Sequence, residues 1–295
     1  MGTNCNHARC VGMTCTWLIV NEASGSYDAD VIADIVTCFA HSGHPVDCIV
    51  RCPEEDLPTP DKLRSSGVET LAIYAGDGTT NSALKAAAGW DGAVLILPGG
   101  TMNLLARALH GDQPYDAIIA EAARSRRTRK LHTVEIGEST AYVGVIAGPS
   151  TSWAHVREDA RHGEVTDLLF NAIPAAISES LSGPQVGIEG HEESFPAIFA
   201  SPREDTLALC GFTASGVGEI VAHASAWLNG DFREGPRVDL GNAPSATLTS
   251  DAETIGLLID GEPAECRPGD TLRLGRAPHN FIETRTAEDR PAKAA

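Results

Sequence analysis

Over its first 125 or so residues the chain alternates short, mainly apolar runs with stretches of helical periodicity. Thr16–Val20, Val46–Val50, Leu71–Ala75 and Ala93–Leu97 are of strand length and are bounded by polar, glycine or proline residues, the signature of strands buried on both faces. Between them, Val31, Ile32, Ile35, Val36 and Phe39 recur at helical spacing and stop near Gly43. Leu57–Ser66 and Pro114–Arg124 read as further helices. This βαβα order predicts a doubly wound α/β domain with a parallel sheet covered on both faces. Beyond residue 130 the pattern changes to short apolar runs separated by turns: Tyr142–Ile146, Ala197–Ala200, Leu207–Phe212, Ala246–Leu248, Ile255–Ile259 and Thr271–Leu274. That spacing predicts an antiparallel β-sandwich. One helical stripe, Val165 to Leu181, interrupts it and reads either as core or as one wall of an apolar pocket. The expected organisation is an α/β domain over 1–128, a β-sandwich domain over 129–285 and a polar tail over 286–295.

Two strand–glycine turn–helix junctions carry the chemistry. Tyr74-Ala75-Gly76-Asp77-Gly78-Thr79-Thr80-Asn81 follows one apolar run and precedes a helix-like run from Ser82 to Ala88. Glycines there let main-chain amides approach an anion, and a helix start presents unpaired N–H groups to the same point. Asp77 would repel phosphate unless a cation lies between them or the carboxylate acts on a proton. A phosphate-plus-metal site, and phosphoryl transfer, follow. One repeat later, Ala93–Leu97 leads into Pro98-Gly99-Gly100-Thr101-Met102-Asn103 and a second helical run. In a parallel sheet both turns open on the same edge, where doubly wound folds bind ligands.

Composition narrows the partners. Twenty-two basic against 40 acidic residues give a net charge of −18, which argues against nucleic acid and against general attraction to anionic lipid. The local exception, Arg124-Ser125-Arg126-Arg127-Thr128-Arg129-Lys130, reads as a solvated helix end or as a contact for headgroups or ligand phosphates. No apolar run has membrane-span length and the N-terminus lacks an apolar signal core, so a cytoplasmic protein is expected. The eight cysteines include no CxxC pair; Cys38, Cys48 and Cys52 are expected to be reduced and packed. Cys5, His7, Cys10 and Cys15 could hold zinc but also suit a tail with stray cysteines.

Gly-Asp-Gly-Thr-x-Asn followed by Pro-x-Gly-Thr-x-Asn resembles the catalytic domain of the diacylglycerol kinase superfamily, which includes sphingosine kinases, ceramide kinases and soluble bacterial lipid kinases. Asn21-Glu22-Ala23-Ser24-Gly25 is similar to that family's early Asn-Pro-x-Ser-Gly, and Asp260-Gly261-Glu262, after Leu257-Leu258-Ile259, to its strand ending in Asp-Gly-Glu. The resemblance implies ATP and Mg²⁺ as cofactors and a membrane lipid hydroxyl as acceptor: diacylglycerol, ceramide or a sphingoid base. It implies peripheral contact with the cytoplasmic membrane face, and a homodimer is compatible with it. Nucleotide contacts would come from Asn21, Ser24, Gly25, Gly76, Gly78, Thr79, Gly99, Gly100, Thr101, Asn103, Asp260 and Gly261. Asp77 is the first candidate for the proton acceptor or its metal-linked partner, and Glu262 the second. Glu262 also reads as a turn residue of Asp260-Gly261-Glu262-Pro263. Asp77 and Glu135 are the expected Mg²⁺ partners.

The chain departs from the family pattern in several places. Ala75 stands for the first glycine of Gly-Gly-Asp-Gly, Ser82 for the usual glutamate and Glu22 for the proline. No Asp-Asp-Gly segment is found within Glu204–Asn229. An NAD kinase-like enzyme, which shares Gly-Gly-Asp-Gly-Thr, and a catalytically silent lipid- or nucleotide-binding homologue are the alternatives.

Overall fold

The computed structural model describes residues 15–25, 27–100, 102–148, 184–212 and 237–285. The chain divides into two compact units, Met1–Leu131 with Ala277–Ala295, and His132–Arg276. In the first unit the chain runs β1 (Cys15–Asn21), α1 (Ala29–His41), β2 (Val46–Cys52), α2 (Pro60–Ser65), β3 (Val68–Ala75), α3 (Asp77–Ala86), β4 (Ala93–Pro98), α4 (Leu104–His110), α5 (Tyr115–Ser125) and β5 (Thr128–Arg129). The second unit contributes β6 (His132–Ile136), β7 (Ser139–Ala141), β8 (Val145–Gly148), β9 (Val186–Ile188), β10 (Ser194–Phe195), β11 (Ala197–Pro202), β12 (Leu207–Phe212), β13 (Arg237–Ala243), β14 (Ser245–Ser250), β15 (Ile255–Ile259), β16 (Glu262–Cys266) and β17 (Thr271–Arg276). The chain then returns to the first unit as β18 (Asn280–Ile282).

The first sheet has the order β2-β1-β3-β4-β18-β5. Its strands pair in parallel except β18 with β5. Trp17, Leu18, Ile19 and Val20 of β1 are all buried, as a strand covered on both faces requires. One face packs on α1 and α5: Leu18, Val20, Ala72, Leu95 and Leu97 meet Ile32, Ile35, Phe39, Ile118 and Ile119. The alternate residues Ile19, Leu71, Ile73 and Ile96 are buried as well, and α2 and α3 add buried Leu63 and Leu84. Local signals set the helix ends. Asp28 caps α1 by accepting the Asp30 amide at 2.8 Å, and Gly43 ends it with φ +81°. Thr59 caps α2, with Pro60 in its first turn. Because β2 lies on one side of β1 and β3 on the other, the strand order reverses between β1 and β3. That reversal is where doubly wound sheets hold ligands.

The second unit is built of two antiparallel six-stranded sheets, β10-β9-β14-β17-β6-β7 and β13-β12-β11-β8-β15-β16. Val134, Ile136, Val186, Ile188, Leu248 and Leu272 from the first sheet share one core with Val145, Ile198, Leu207, Leu209, Leu257 and Ile259 from the second. The expected sequence of an α/β domain followed by a β-sandwich is therefore the observed fold.

Four expectations are corrected. The second domain does not run to 285: it ends at Arg276, and β18 pairs with β4, because buried Phe281 and Ile282 complete the first sheet. Residues 142–144 are not strand; β8 starts at Val145, since the three preceding amides turn onto one carboxylate, described below. Gly-Asp-Gly-Thr is not a loop before a helix at Ser82; Asp77–Thr80 form the first turn of α3. Cys48 is disulfide-bonded, a pairing that no local CxxC spacing announced. The Val165–Leu181 stripe, the 286–295 tail, Thr101 and Cys5, His7 and Cys10 lie outside the described residues.

Candidate active site at the carboxyl edge of the parallel sheet

The site grows from the strand ends at the reversal point. Asn21 closes β1, and its Nδ2 donates to Thr79 Oγ1, in the first turn of α3, at 2.8 Å. Its Oδ1 accepts the Ala23 amide at 3.0 Å, which shapes the turn carrying Ser24 and Gly25. Three sequence-predicted positions, Asn21, Thr79 and the Ser24–Gly25 turn, are thus brought together across the gap between β1 and β3.

The two glycine turns are tied to each other by Asp77. Its Oδ2 accepts the Asn103 amide at 3.1 Å and its Oδ1 the Leu104 amide at 2.9 Å. The carboxylate that opens α3 therefore caps α4, 26 residues on. Asn103 completes the second turn from the left-handed region, with φ 52°. Its Oδ1 accepts the Gly100 amide at 2.7 Å and its Nδ2 donates to Gly100 O at 2.8 Å.

The glycines fall into two classes. A Cβ on Gly99 would lie 2.5 Å from Ala75 N, and one on Gly100 2.5 Å from Gly76 Cα. Those two are glycine because main chain packs on main chain. A Cβ on Gly76 would have 3.9 Å to its nearest neighbour, and one on Gly25 would meet nothing within 4 Å. Neither has positive φ, so neither packing nor strain in the folded chain demands glycine there. Gly76, the N-cap of α3, offers no side chain to cap the helix, so among the described residues the Gly78 and Thr79 amides meet no capping side chain. Open glycines beside an uncapped helix start suit a phosphate group. Ser82, in place of the family's glutamate, turns its hydroxyl back onto Gly78 O at 2.9 Å.

In the second unit, the Asp260-Gly261-Glu262 motif forms a tight hairpin. Asp260 and Gly261 have φ 49° and 88°, the two left-handed positions of a two-residue turn between β15 and β16. The buried Asp260 carboxylate accepts the amides of Tyr142 (2.6 Å), Val143 (2.8 Å) and Gly144 (2.9 Å). Burial pushes its pKa up to about 6, against the lowering effect of those three amides. Burial, then the nearby Asp260, pushes Tyr142 up too. Glu262 is exposed, and its side chain has no hydrogen-bond or ionic partner among the described residues. Glu135 is exposed on β6, and its side chain lies across Gly275, where a Cβ would be 2.0 Å from Oε1. Among the described residues no group of three or more His, Cys, Asp or Glu is arranged to hold a metal ion.

Sequence reasoning missed the ties that hold these parts. Arg127 Nη2 donates to Arg285 O at 2.8 Å, and Arg129 pairs with buried Glu283 at 3.4 Å. Arg124 pairs with Glu121, and Arg126 with Glu69 at 3.7 Å. Four cations of the basic run are therefore engaged within the first unit. At the far end of α4, buried His110 meets Thr284 Oγ1 at 2.9 Å, and the Arg285 amide donates to Leu109 O at 3.2 Å. Desolvation lowers the His110 pKa to about 4, so the imidazole is neutral at pH 7. No sequence signal marks contacts between segments more than 150 residues apart.

Residues 16–137 match the family model described as the diacylglycerol kinase catalytic domain. No curated protein matches the chain in sequence. The crystal structure of a diacylglycerol kinase from Bacillus anthracis str. Sterne shares the fold with a TM-score of 0.63 at 15% identity, covering 92% of this chain and 98% of that one. Yeast NADH kinase complexed with NADH is more distant, with a TM-score of 0.44 at 10% identity over 90% of this chain and 79% of that chain. The resemblance read from the motifs is borne out over residues 16–137, the stretch that matches this family model.

Proposed function

We propose that this chain is an ATP-dependent kinase that transfers the γ-phosphoryl group to a hydroxyl of a membrane lipid, with diacylglycerol, ceramide or a sphingoid base as the acceptor class. The observation that carries the reading is the pair of glycine turns locked together by Asp77 at the reversal point of the sheet, in the segment that matches the catalytic domain. When bound, ATP supplies the activated phosphoryl group, and Mg²⁺ offsets its charge. The residues present fit the nucleotide: Gly25 and Gly76 leave room, the α3 amides offer donors, and Asn21 fixes Thr79 beside them. Ser24, Gly78, Gly99, Gly100 and Asn103 belong to the same two turns and the strand end facing them.

The two carboxylate candidates for the proton acceptor differ in what already holds them. Both Asp77 oxygens accept main-chain amides, which suits a residue that fixes the turns. Glu262 is exposed and unpartnered among the described residues, which suits a base that must reach a hydroxyl. We assign the base to Glu262 and the organisation of the turns to Asp77. Asp260 and Gly261 support the base by building the hairpin that presents it. Mg²⁺ keeps several waters and binds through one or two carboxylates plus phosphates, so Glu135 through water would suffice. Contact with the bilayer would be peripheral: no helix among the described residues is long and apolar enough to cross a membrane.

The test is phosphoryl transfer from radiolabelled ATP, with Mg²⁺, to mixed micelles of diacylglycerol, ceramide or sphingosine, with NAD as a fourth acceptor. Labelled lipid is expected. Labelling of NAD alone, or ATP binding without transfer to any acceptor, would overturn the proposal.

A further inference from the structure

We propose that Glu22, Arg51 and Tyr27 form a subsite for the nucleoside part of the triphosphate. This rests on the reading of Gly76 and the α3 start as the phosphate cradle. Glu22 stands where the resembling family carries proline, and it directly follows Asn21, whose side chain touches the first turn of α3. Its amide donates to Cys52 O at 2.9 Å, which fixes it beside the end of β2. Arg51, one residue earlier on β2, pairs through Nε with Glu22 Oε1 at 2.9 Å. The Tyr27 hydroxyl reaches the same oxygen at 3.2 Å.

Two donors thus converge on one carboxylate oxygen. Glu22 Oε2 and the two terminal nitrogens of Arg51 make no hydrogen bond among the described residues. The side chains are 28% and 36% exposed, so the group is held in place yet open to solvent. It presents a fixed acceptor beside fixed donors on the carboxyl edge of the sheet. The complementary chemistry is a ligand donor next to a ligand acceptor. A nucleoside offers this in its ribose hydroxyls and on the amino edge of its base. The spacing also agrees. From the end of β3, where the phosphates would sit, across β1 to the end of β2 is two strand separations, about 10 Å. That is comparable with the reach of an extended nucleotide from its phosphates to its nucleoside. Tyr27, the one large apolar side chain that is exposed among the described residues, adds a ring face beside the pair.

The experiment is calorimetric titration of the full chain, in Mg²⁺, with ATP, 2′,3′-dideoxyATP, inosine triphosphate and inorganic tripolyphosphate. Glu22→Ala is expected to weaken ATP about tenfold, the loss of one charge-assisted hydrogen bond, and to leave tripolyphosphate unchanged. Arg51→Met should act in the same direction. In the wild-type chain, a deficit for dideoxyATP assigns the contact to the ribose, and one for inosine triphosphate to the base amino group. ATP affinity unchanged in Glu22→Ala, equal losses for ATP and tripolyphosphate, or no deficit for either analogue would each overturn the subsite. A wild-type chain that binds neither ATP nor tripolyphosphate would instead defeat the phosphate cradle on which the subsite rests.

Discussion

Two aspartates in the two units do the same mechanical work with different stakes. Asp77 accepts two main-chain amides from the turn before α4, in a part-buried setting. Asp260 accepts three from residues 142–144, fully buried. Each is the acidic residue of a glycine-containing motif, and each joins segments distant in sequence. The lesson is that an acidic residue in a motif can be the staple that shapes a loop, while the reactive parts are what the staple leaves free. Around Asp77 the staple leaves open glycines and an uncapped helix start; beside Asp260 it leaves Glu262 exposed, the proposed base.

The largest expected effect is on the more buried staple. Asp260→Ala leaves three amides without an acceptor, each at roughly 1–3 kcal/mol before relaxation and water entry. Chemical denaturation should show a loss of about 3 kcal/mol or more in the unit His132–Arg276. A variant as stable as wild type would mean that the three amides find water at no cost.

Next come the glycines, which separate packing from ligand approach. Gly100→Ala drives a methyl group into Gly76 Cα and should destabilise the first unit by about 1–3 kcal/mol. Gly76→Ala has room for its methyl and should keep the wild-type melting temperature while losing ATP affinity. Equal melting losses in both would show that Gly76 is structural as well. Asp77→Asn keeps one acceptor of two and should cost about 1 kcal/mol of stability together with ATP affinity. Lost turnover with both of these intact would instead identify Asp77 as the base.

Much of this was legible in the sequence. The strand–turn–helix order, the sheet edge and the change of texture near residue 130 all follow from apolar periodicity, which is local. The start of α3 was misplaced because Gly76 and Gly78 weaken helix propensity, and a carboxylate between glycines looks like a turn. Asp77 compensates by tying that turn to α4, which periodicity does not encode. The return of Asn280–Ile282 was missed because three residues are too short to show a period. Asp260's three amides explain the misplaced start of β8. In each case the deciding interaction joins segments far apart in the chain.

The smallest effects concern pH, and the two units should respond in opposite directions. In the first unit the folded state holds His110 neutral, with its pKa lowered to about 4 from 6.5. Its stabilising contribution is complete above pH 6.5 and is lost as pH falls toward 4. In the second, Asp260 is raised to about 6 from 3.8. The folded state then binds the proton more tightly, so this group favours folding below pH 4 and loses that contribution as pH rises through 6. Hydrogen exchange at a series of pH values should show protection of α4 falling between pH 6.5 and 4 while that of β8 and β15 rises. Parallel changes in both would contradict the assignment of the two groups.

The most direct test of the central claim, that the aspartates staple and Glu262 reacts, is the turnover of Glu262→Gln on the lipid acceptor, with ATP affinity and melting temperature measured on the same preparation. The account predicts a fall of about 10²–10⁴-fold in kcat with affinity and melting temperature unchanged, because an exposed, unpartnered side chain stabilises nothing in the fold. A Glu262→Gln enzyme that turns over as fast as the wild type would contradict it.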